Sequence, residues 1–177
     1  ARAPADAVSN GPPGFSLRIG GDHFDPLARQ PSVKAGFKKI DRYRNVEKGY
    51  YIVQFVGPPS EPWKKALADI GVEFFDYIPE FAFLVRMPVD LERKALGFPE
   101  IRWIGPYQPS HRVGRAAHRR VPPRGKKSAG AYEKLRIDVF PGENLDRISS
   151  EIEDIGGIVL DASESSRKTL LKVDAPA

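Results

Sequence analysis

The chain repeats itself once, and incompletely. Sliding the sequence by 85 positions sets Ile52, Phe55, Asp69, Ile70 and Gly71 on Ile137, Phe140, Asp154, Ile155 and Gly156, and Trp63 and Leu67 on Ile148 and Ile152. Each copy reads as a β-strand leading into an amphipathic helix that stops at a glycine and returns to the sheet, one supersecondary unit used twice. After one inserted residue the register resumes at 86, with Leu84, Val85 and Arg86 opposite Leu170, Leu171 and Lys172. Nothing in the second copy answers Leu91 to Pro106, so the second module is expected to lack its last helix and strand.

In the first copy a strand is expected over Tyr50 to Val56, ended by Gly57-Pro58-Pro59-Ser60, with Pro62 in the first helical turn where its missing N–H costs nothing. The helix runs to about Ile70, with Trp63, Ala66, Leu67 and Ile70 at i, i+3, i+4 and i+7 as one core-facing stripe and Gly71 as its left-handed cap. Strands follow at Val72 to Tyr77 and Phe81 to Arg86, then a helix at Val89 to Leu96 and a strand at Ile101 to Ile104. The order β-α-β-β-α-β predicts an α+β chain built on a ferredoxin-like module. The second copy predicts a strand at Lys134 to Phe140, a helix at Asn144 to Ile155, and strands at Ile158 to Asp161 and Lys168 to Val173. The expected organisation is an extended arm over 1–47 with one short helix near Val33 to Ile40, a first module over 48–110, a linker over 111–130, and a truncated second module over 131–177.

The net charge of +5 suggests nucleic acid until it is located. Arg112, Arg115, Arg119, Arg120, Arg124, Lys126 and Lys127 fall between His111 and Lys127 with no acid among them, so the modules themselves are close to neutral. A basic run containing Pro and Gly between two folded units reads as a solvated linker. Lys48 to Phe55 partly matches the aromatic RNA-stacking signature of the RRM, but Tyr51 and Ile52 depart from it and the signature belongs on a third strand, not a first. Nucleic acid is not expected as a partner. No apolar run approaches the roughly 18 residues of a membrane span, so no membrane is expected either.

The absence of cysteine excludes thiolate chemistry and disulfides, and three histidines leave few ligands for zinc, so no metal or cofactor is expected. No serine lies in a Gly-x-Ser-x-Gly turn, and Gly125-Lys126-Lys127-Ser128 lacks the strand and first glycine of a phosphate loop. The chain is therefore read as non-enzymatic. A start at Ala1 followed by an Ala/Pro-rich stretch suggests a removed leader and a secreted or cell-surface location.

The two sheets differ in patterning. Lys134-Leu135-Arg136-Ile137-Asp138-Val139 alternates cleanly, so the second sheet has one wet face, whereas Tyr50-Tyr51-Ile52-Val53 and Phe81-Ala82-Phe83-Leu84-Val85 are apolar on both. The outer face of the first sheet needs a cover, supplied by a partner, by the N-terminal arm or by the second module.

At Gly49-Tyr50-Tyr51-Ile52-Val53-Gln54-Phe55-Val56-Gly57-Pro58, Tyr77-Ile78-Pro79, Phe81 to Met87 and Ile101-Arg102-Trp103-Ile104-Gly105-Pro106-Tyr107, the chain resembles the N-terminal prodomains of subtilisin-like serine proteases. The first module is covered end to end, the second in outline. The resemblance implies a folding template and inhibitor whose sheet docks on two surface helices of the protease catalytic domain while the segment after its last strand lies in the substrate cleft. By position the docking residues would be Tyr51, Val53, Phe55, Phe83 and Trp103, or the alternate set Tyr50, Ile52 and Leu84. The cleft-binding tail would be Pro106, Tyr107, Gln108, Pro109, Ser110 and His111. That family's catalytic Asp, His and Ser motifs are absent, and a basic linker with another module follows the tail in place of a catalytic domain. The resemblance thus implies the non-catalytic part of a precursor. The alternative is a structural or assembly module that binds another protein through the apolar outer face of its first sheet.

Overall fold

The structure, a computed structural model, describes residues 14–114, 132–165 and 168–176. The chain divides into two compact units, Ala1–Val121 and Pro122–Ala177, both α+β with antiparallel sheets. The basic run expected as a linker lies, beyond Gly114, outside the described residues. Among the described residues no helix is long and apolar enough to cross a membrane.

The first unit opens with a hairpin, β1 (Leu17–Ile19) and β2 (Asp22–Phe24). It continues with β3 (Lys48–Phe55), α1 (Glu61–Asp69), β4 (Glu73–Ile78), β5 (Ala82–Pro88), α2 (Leu91–Leu96) and β6 (Ile101–Pro106). The last four strands form one sheet in the order β4-β5-β3-β6, with β3 antiparallel to both neighbours. Local chemistry sets the helix limits. Ser60 caps α1 by accepting from the Trp63 N–H at 3.4 Å, and the chain leaves the helix at Gly71, whose φ of 104° is open to glycine at little cost. The inner face of the sheet packs Tyr51, Val53, Phe55, Val85, Met87 and Ile104 against Leu67 of α1 and Ala95 of α2. Phe55 stacks on Trp63 with ring centroids 6.2 Å apart, which locks helix to strand.

The short helix expected near Val33 to Ile40 does not form. Gly36 sits there at φ 92°, outside the helical region, and no buried stripe rewards a helix so short. From residue 14 the arm is instead folded as the β1–β2 hairpin, followed by irregular chain.

Tyr51 carries an oddity. Its side chain is wholly buried, its ring meets Tyr43 edge-on at 5.2 Å, and its hydroxyl has no hydrogen-bond partner among the described residues. Burial pushes that hydroxyl up to about 12, with further raising from Glu92 and Tyr43 against Arg42. Tyr51→Phe keeps the packing and removes an unsatisfied polar atom. We expect it to raise unfolding stability by about 1 kcal/mol, read as a higher urea midpoint at unchanged slope.

The second unit consists of β7 (Tyr132–Val139), α3 (Leu145–Asp154), β8 (Ile158–Glu164) and β9 (Thr169–Pro176), with strand order β7-β9-β8. Asn144 caps α3 by accepting from the Arg147 N–H at 2.8 Å. Val139, Ile152, Leu171 and Val173 make its core. The expected strand-helix-strand-strand order is present, but the strand register of the repeat needs correcting. Tyr51 pairs with Val85 in the first sheet and Ile137 with Leu171 in the second, so the structural counterpart of Ile137 is Tyr51, at an offset of 86. The offset of 85 that matched Ile52 to Ile137 joins residues on opposite faces: Ile52 lies on the outer face of its sheet and Ile137 on the helix-facing side of its own. A slip of one residue in a strand exchanges faces.

Candidate functional site

The site that the sequence singled out is the outer face of the first sheet with the tail that follows β6. Ile52, Leu84 and Ala82 point to this face and are buried, and Trp103 joins them half-buried. Their cover is the N-terminal hairpin. Leu17, Ile19 and Phe24 are buried on Ile52 and Ala82, with Ile78, Trp103 and Tyr107 at the margin, and Phe24 meets Trp103 edge-on at 6.4 Å. Burying each of these three hairpin side chains is worth roughly 1.5–3 kcal/mol. Gly20 and Gly21 turn the hairpin with φ of 59° and 85°, both in the region a two-residue hairpin turn demands.

A buried polar cluster ties the hairpin down. The Arg102 guanidinium donates to Asp25 Oδ1 at 2.8 Å and Oδ2 at 3.0 Å, and to Gln54 Oε1 at 2.8 Å. Gln54 Nε2 donates in turn to the carbonyls of Phe15 and Glu80, each at 3.0 Å. The guanidinium also lies 4.5 Å from the Phe15 ring centroid. Two strands, the arm and the β4–β5 turn are thus joined by one network in which each named polar group is satisfied.

The tail is clamped as well. The Tyr107 N–H continues the ladder to the Tyr50 carbonyl at 2.8 Å. Gln108 is buried and grips one residue of the arm from both sides: its Nε2 donates to the Ile40 carbonyl at 2.7 Å and its Oε1 accepts from the Ile40 N–H at 2.9 Å. Pro109–His111 then make a single 3-10 turn that brings His111 under the hairpin turn. There the Gly20 backbone comes so close that a Cβ on it would stand 2.8 Å from His111 Cα. His111 is buried, neither ring nitrogen has a hydrogen-bond partner among the described residues, and burial lowers its pKa to about 4. Asp22 opposes that shift, whereas Lys34 and Arg112 add to it. A cleft of about 330 Å³ runs beside this seam, lined by Arg18, Gly20, Asp76, Tyr77, Tyr107 and His111.

The part of the outer face that the hairpin leaves open is aromatic and cationic. Tyr50 lies 6.0 Å from Phe75, Arg86 sits over Phe75 and Arg112 over both Tyr50 and Tyr107. Glu73 accepts from Arg86 and from Lys48, the latter at 2.7 Å.

The residues named from sequence therefore fall in three places. Tyr51, Val53 and Phe55 are buried in the core beneath the helices and offer no surface to a partner. Phe83 is on the same inner side, half-buried between Phe55, Phe74 and Tyr77. Trp103, Ile52 and Leu84 are on the outer face at the hairpin, and Tyr50 is half-buried on the open part. In the tail, Tyr107 and Pro109 are half-buried, and Gln108, Ser110 and His111 are buried against the arm instead of forming a free extended segment.

Sequence reading missed Leu17, Ile19, Phe24, Asp25 and Arg102. A signal existed in Gly20-Gly21 flanked by Leu17-x-Ile19 and Asp22-x-Phe24, a two-residue turn between short alternating strands. Among the described residues no group of three His, Cys, Asp or Glu side chains could hold a metal ion.

One family model, a domain of unknown function (DUF8729), matches residues 18–108. No curated protein and no solved structure matches the chain. The matched segment begins inside β1 and ends at the Gln108 clamp, so hairpin, sheet and tail fall together as they do in the packing. Since the match spans more than half of the 177 residues, the chain belongs to the DUF8729 family.

Proposed function

We propose that the chain is a non-catalytic, secreted protein-binding region of the prodomain kind, with a ferredoxin-like first module that acts on a subtilisin-like protease as folding template and inhibitor. One observation carries this reading. The strand order β4-β5-β3-β6, with α1 and α2 both packed on the inner face, leaves an outer face rich in aromatic and branched side chains, as the resemblance requires of a docking sheet. On this reading, with Ile52 and Trp103 against the hairpin, docking falls to the open part of that face, where Tyr50 and Tyr107, both named from sequence, lie with Phe75 and Arg86. Aromatic and arginine side chains are those that most often dominate binding energy at protein interfaces.

The test is a titration of the full chain into a subtilisin-like protease, following peptide hydrolysis and the integrity of the chain. Saturable inhibition is expected, and Tyr50→Asp should weaken it at least tenfold, about 1.4 kcal/mol, with an unchanged circular dichroism spectrum. No inhibition by an intact, folded chain would end the prodomain reading.

A second reading, an assembly module, is favoured by the hairpin itself. Leu17, Ile19 and Phe24 already occupy part of the surface that a protease would take. On that reading Tyr50→Asp changes nothing in a protease assay.

A further inference from the structure

The tail after β6 ends in a buried polar ring that nothing satisfies. Beyond the Gln108 clamp, Pro109–His111 make their single 3-10 turn, and His111 sits beneath the hairpin turn. Its ring lies 5.9 Å from the Tyr107 ring, and both of its nitrogens are shielded from solvent with no hydrogen-bond partner among the described residues. A neutral imidazole there forgoes the hydrogen bonds that water would give it, and an imidazolium would forgo far more. The site has little room to rearrange around a charge, since a Cβ on Gly20 would stand 2.8 Å from His111 Cα and 3.2 Å from its Cδ2. Its neighbours do not favour a positive ring either. Lys34 of the arm and Arg112 of the tail oppose it, and Asp22 of the hairpin, which favours it, is engaged by the Arg29 guanidinium and the Ser32 N–H. Arg18 and Asp76 line the cleft alongside and bring one charge of each sign.

The two elements that meet at this seam are unequally held. The hairpin buries Leu17, Ile19 and Phe24 and is tied by the Arg102–Asp25 pair. The turn is held by the His111 N–H on the Gln108 carbonyl at 2.9 Å, the Arg112 N–H on the Pro109 carbonyl at 3.1 Å, and the Tyr107 hydroxyl on the His111 carbonyl at 3.1 Å. Exposed Arg112 adds a contact of 3.0 Å to the Tyr43 hydroxyl. Local opening of the turn therefore costs less than release of the hairpin. We propose that protonation of His111 expels it from beneath Gly20 and frees Pro109 to Arg112 from the arm, with Gln108 as the hinge and the hairpin left in place.

The use of this device rests on the prodomain reading, in which the segment after β6 lies extended in a cleft. At neutral pH that segment is tucked away, and acid makes it available.

Amide hydrogen exchange of the full chain at neutral pH and near pH 4.5, corrected for intrinsic rates, tests the device without a protease. With the tucked ring titrating at about 4 and a free one at 6.5, opening should rise about fiftyfold at the lower pH. Protection of the His111 and Arg112 amides is expected to fall by that factor while the hairpin amides and Ile40 keep theirs. The fall should track the titration of the His111 ring protons in the nuclear magnetic resonance spectrum. His111→Leu should abolish it, and Lys34→Gln, which removes a neighbouring cation, should lessen it. Unchanged protection, an equal fall in His111→Leu, or a hairpin that opens together with the tail would each overturn the proposal. Should His111→Leu not fold, the wild-type titration and Lys34→Gln decide the matter. A tail that opens in acid on a chain that inhibits no subtilisin-like protease would leave the device standing and end the prodomain reading.

Discussion

Arg102→Ala is expected to cost about 3–5 kcal/mol of stability, the range for removing one partner of a buried ion pair. Asp25 is only 3% exposed and Arg102 10% in their side chains, so the orphaned carboxylate could not turn to water. The Leu27 N–H, at 3.0 Å from Asp25 Oδ1, would be left as a partner without charge. Gln54 would lose its acceptor contact to Arg102 and Phe15 its cation. Replacing both members, as Arg102→Met with Asp25→Leu, should recover part of the loss, because no charge then remains to be desolvated while Gln54 Oε1 and the Leu27 N–H still lose their partners. Urea unfolding followed by circular dichroism measures both. A single-variant loss below about 1 kcal/mol would mean that water reaches Asp25 and that the hairpin is held by its apolar side chains alone.

The second large effect is a loss of stability on mild acidification. His111 titrates at about 4 in the folded chain, below the ordinary 6.5, because burial disfavours its charged form and Lys34 and Arg112 add to this against Asp22. The unfolded chain therefore takes up the proton first. Stability is intact above about pH 6.5 and declines as pH falls towards 4, by up to about 3 kcal/mol in all. Asp22 acts in another window. Its own burial would raise it, but the Arg29 guanidinium and the Ser32 N–H outweigh that and hold it at about 2, so its contribution is lost only between its usual 3.8 and 2. Urea midpoints measured at neutral pH and near pH 4.5 should differ for the wild type and much less for His111→Leu. Equal acid sensitivity in the two would show that His111 finds a partner or water when it is charged.

Both effects depend on the hairpin seam, and the seam was the least legible part of the chain. The helix α1 was readable because Trp63, Ala66, Leu67 and Ile70 recur at helical spacing behind a proline in the first turn, and Trp63, Leu67 and Ile70 do pack into the core. The strands were readable as elements, but their faces were not. Where Tyr50, Tyr51, Ile52 and Val53 are apolar in succession the period-two signal vanishes, so the sequence could not tell the core set from the outer set. The same run misled the repeat alignment by one residue. In β7, where charged and apolar residues alternate, Leu135, Ile137 and Val139 were identifiable as the inner set from sequence alone.

His111 shows the limit from the other side. In sequence it opens a basic, Pro/Gly-containing run and reads as solvated; in the fold it is 7% exposed under Gly20. No local pattern encodes that, since the contact joins residues some ninety positions apart.

By itself the sequence determined the α+β class, the order of elements from β3 to β9 and the unequal wetness of the two sheets, because periodicity, capping and turn residues act over a few neighbouring positions. Which face of the first sheet meets the helices, what covers the other, and which charges are buried there were decided only by tertiary structure. Gly20-Gly21 marks β1 and β2 as a hairpin, but two three-residue strands carry nothing that says which surface they cover. Their burial on Ile52 and Ala82, and the closure of Arg102 on Asp25, are long-range contacts whose free energy exists only once the sheet is assembled.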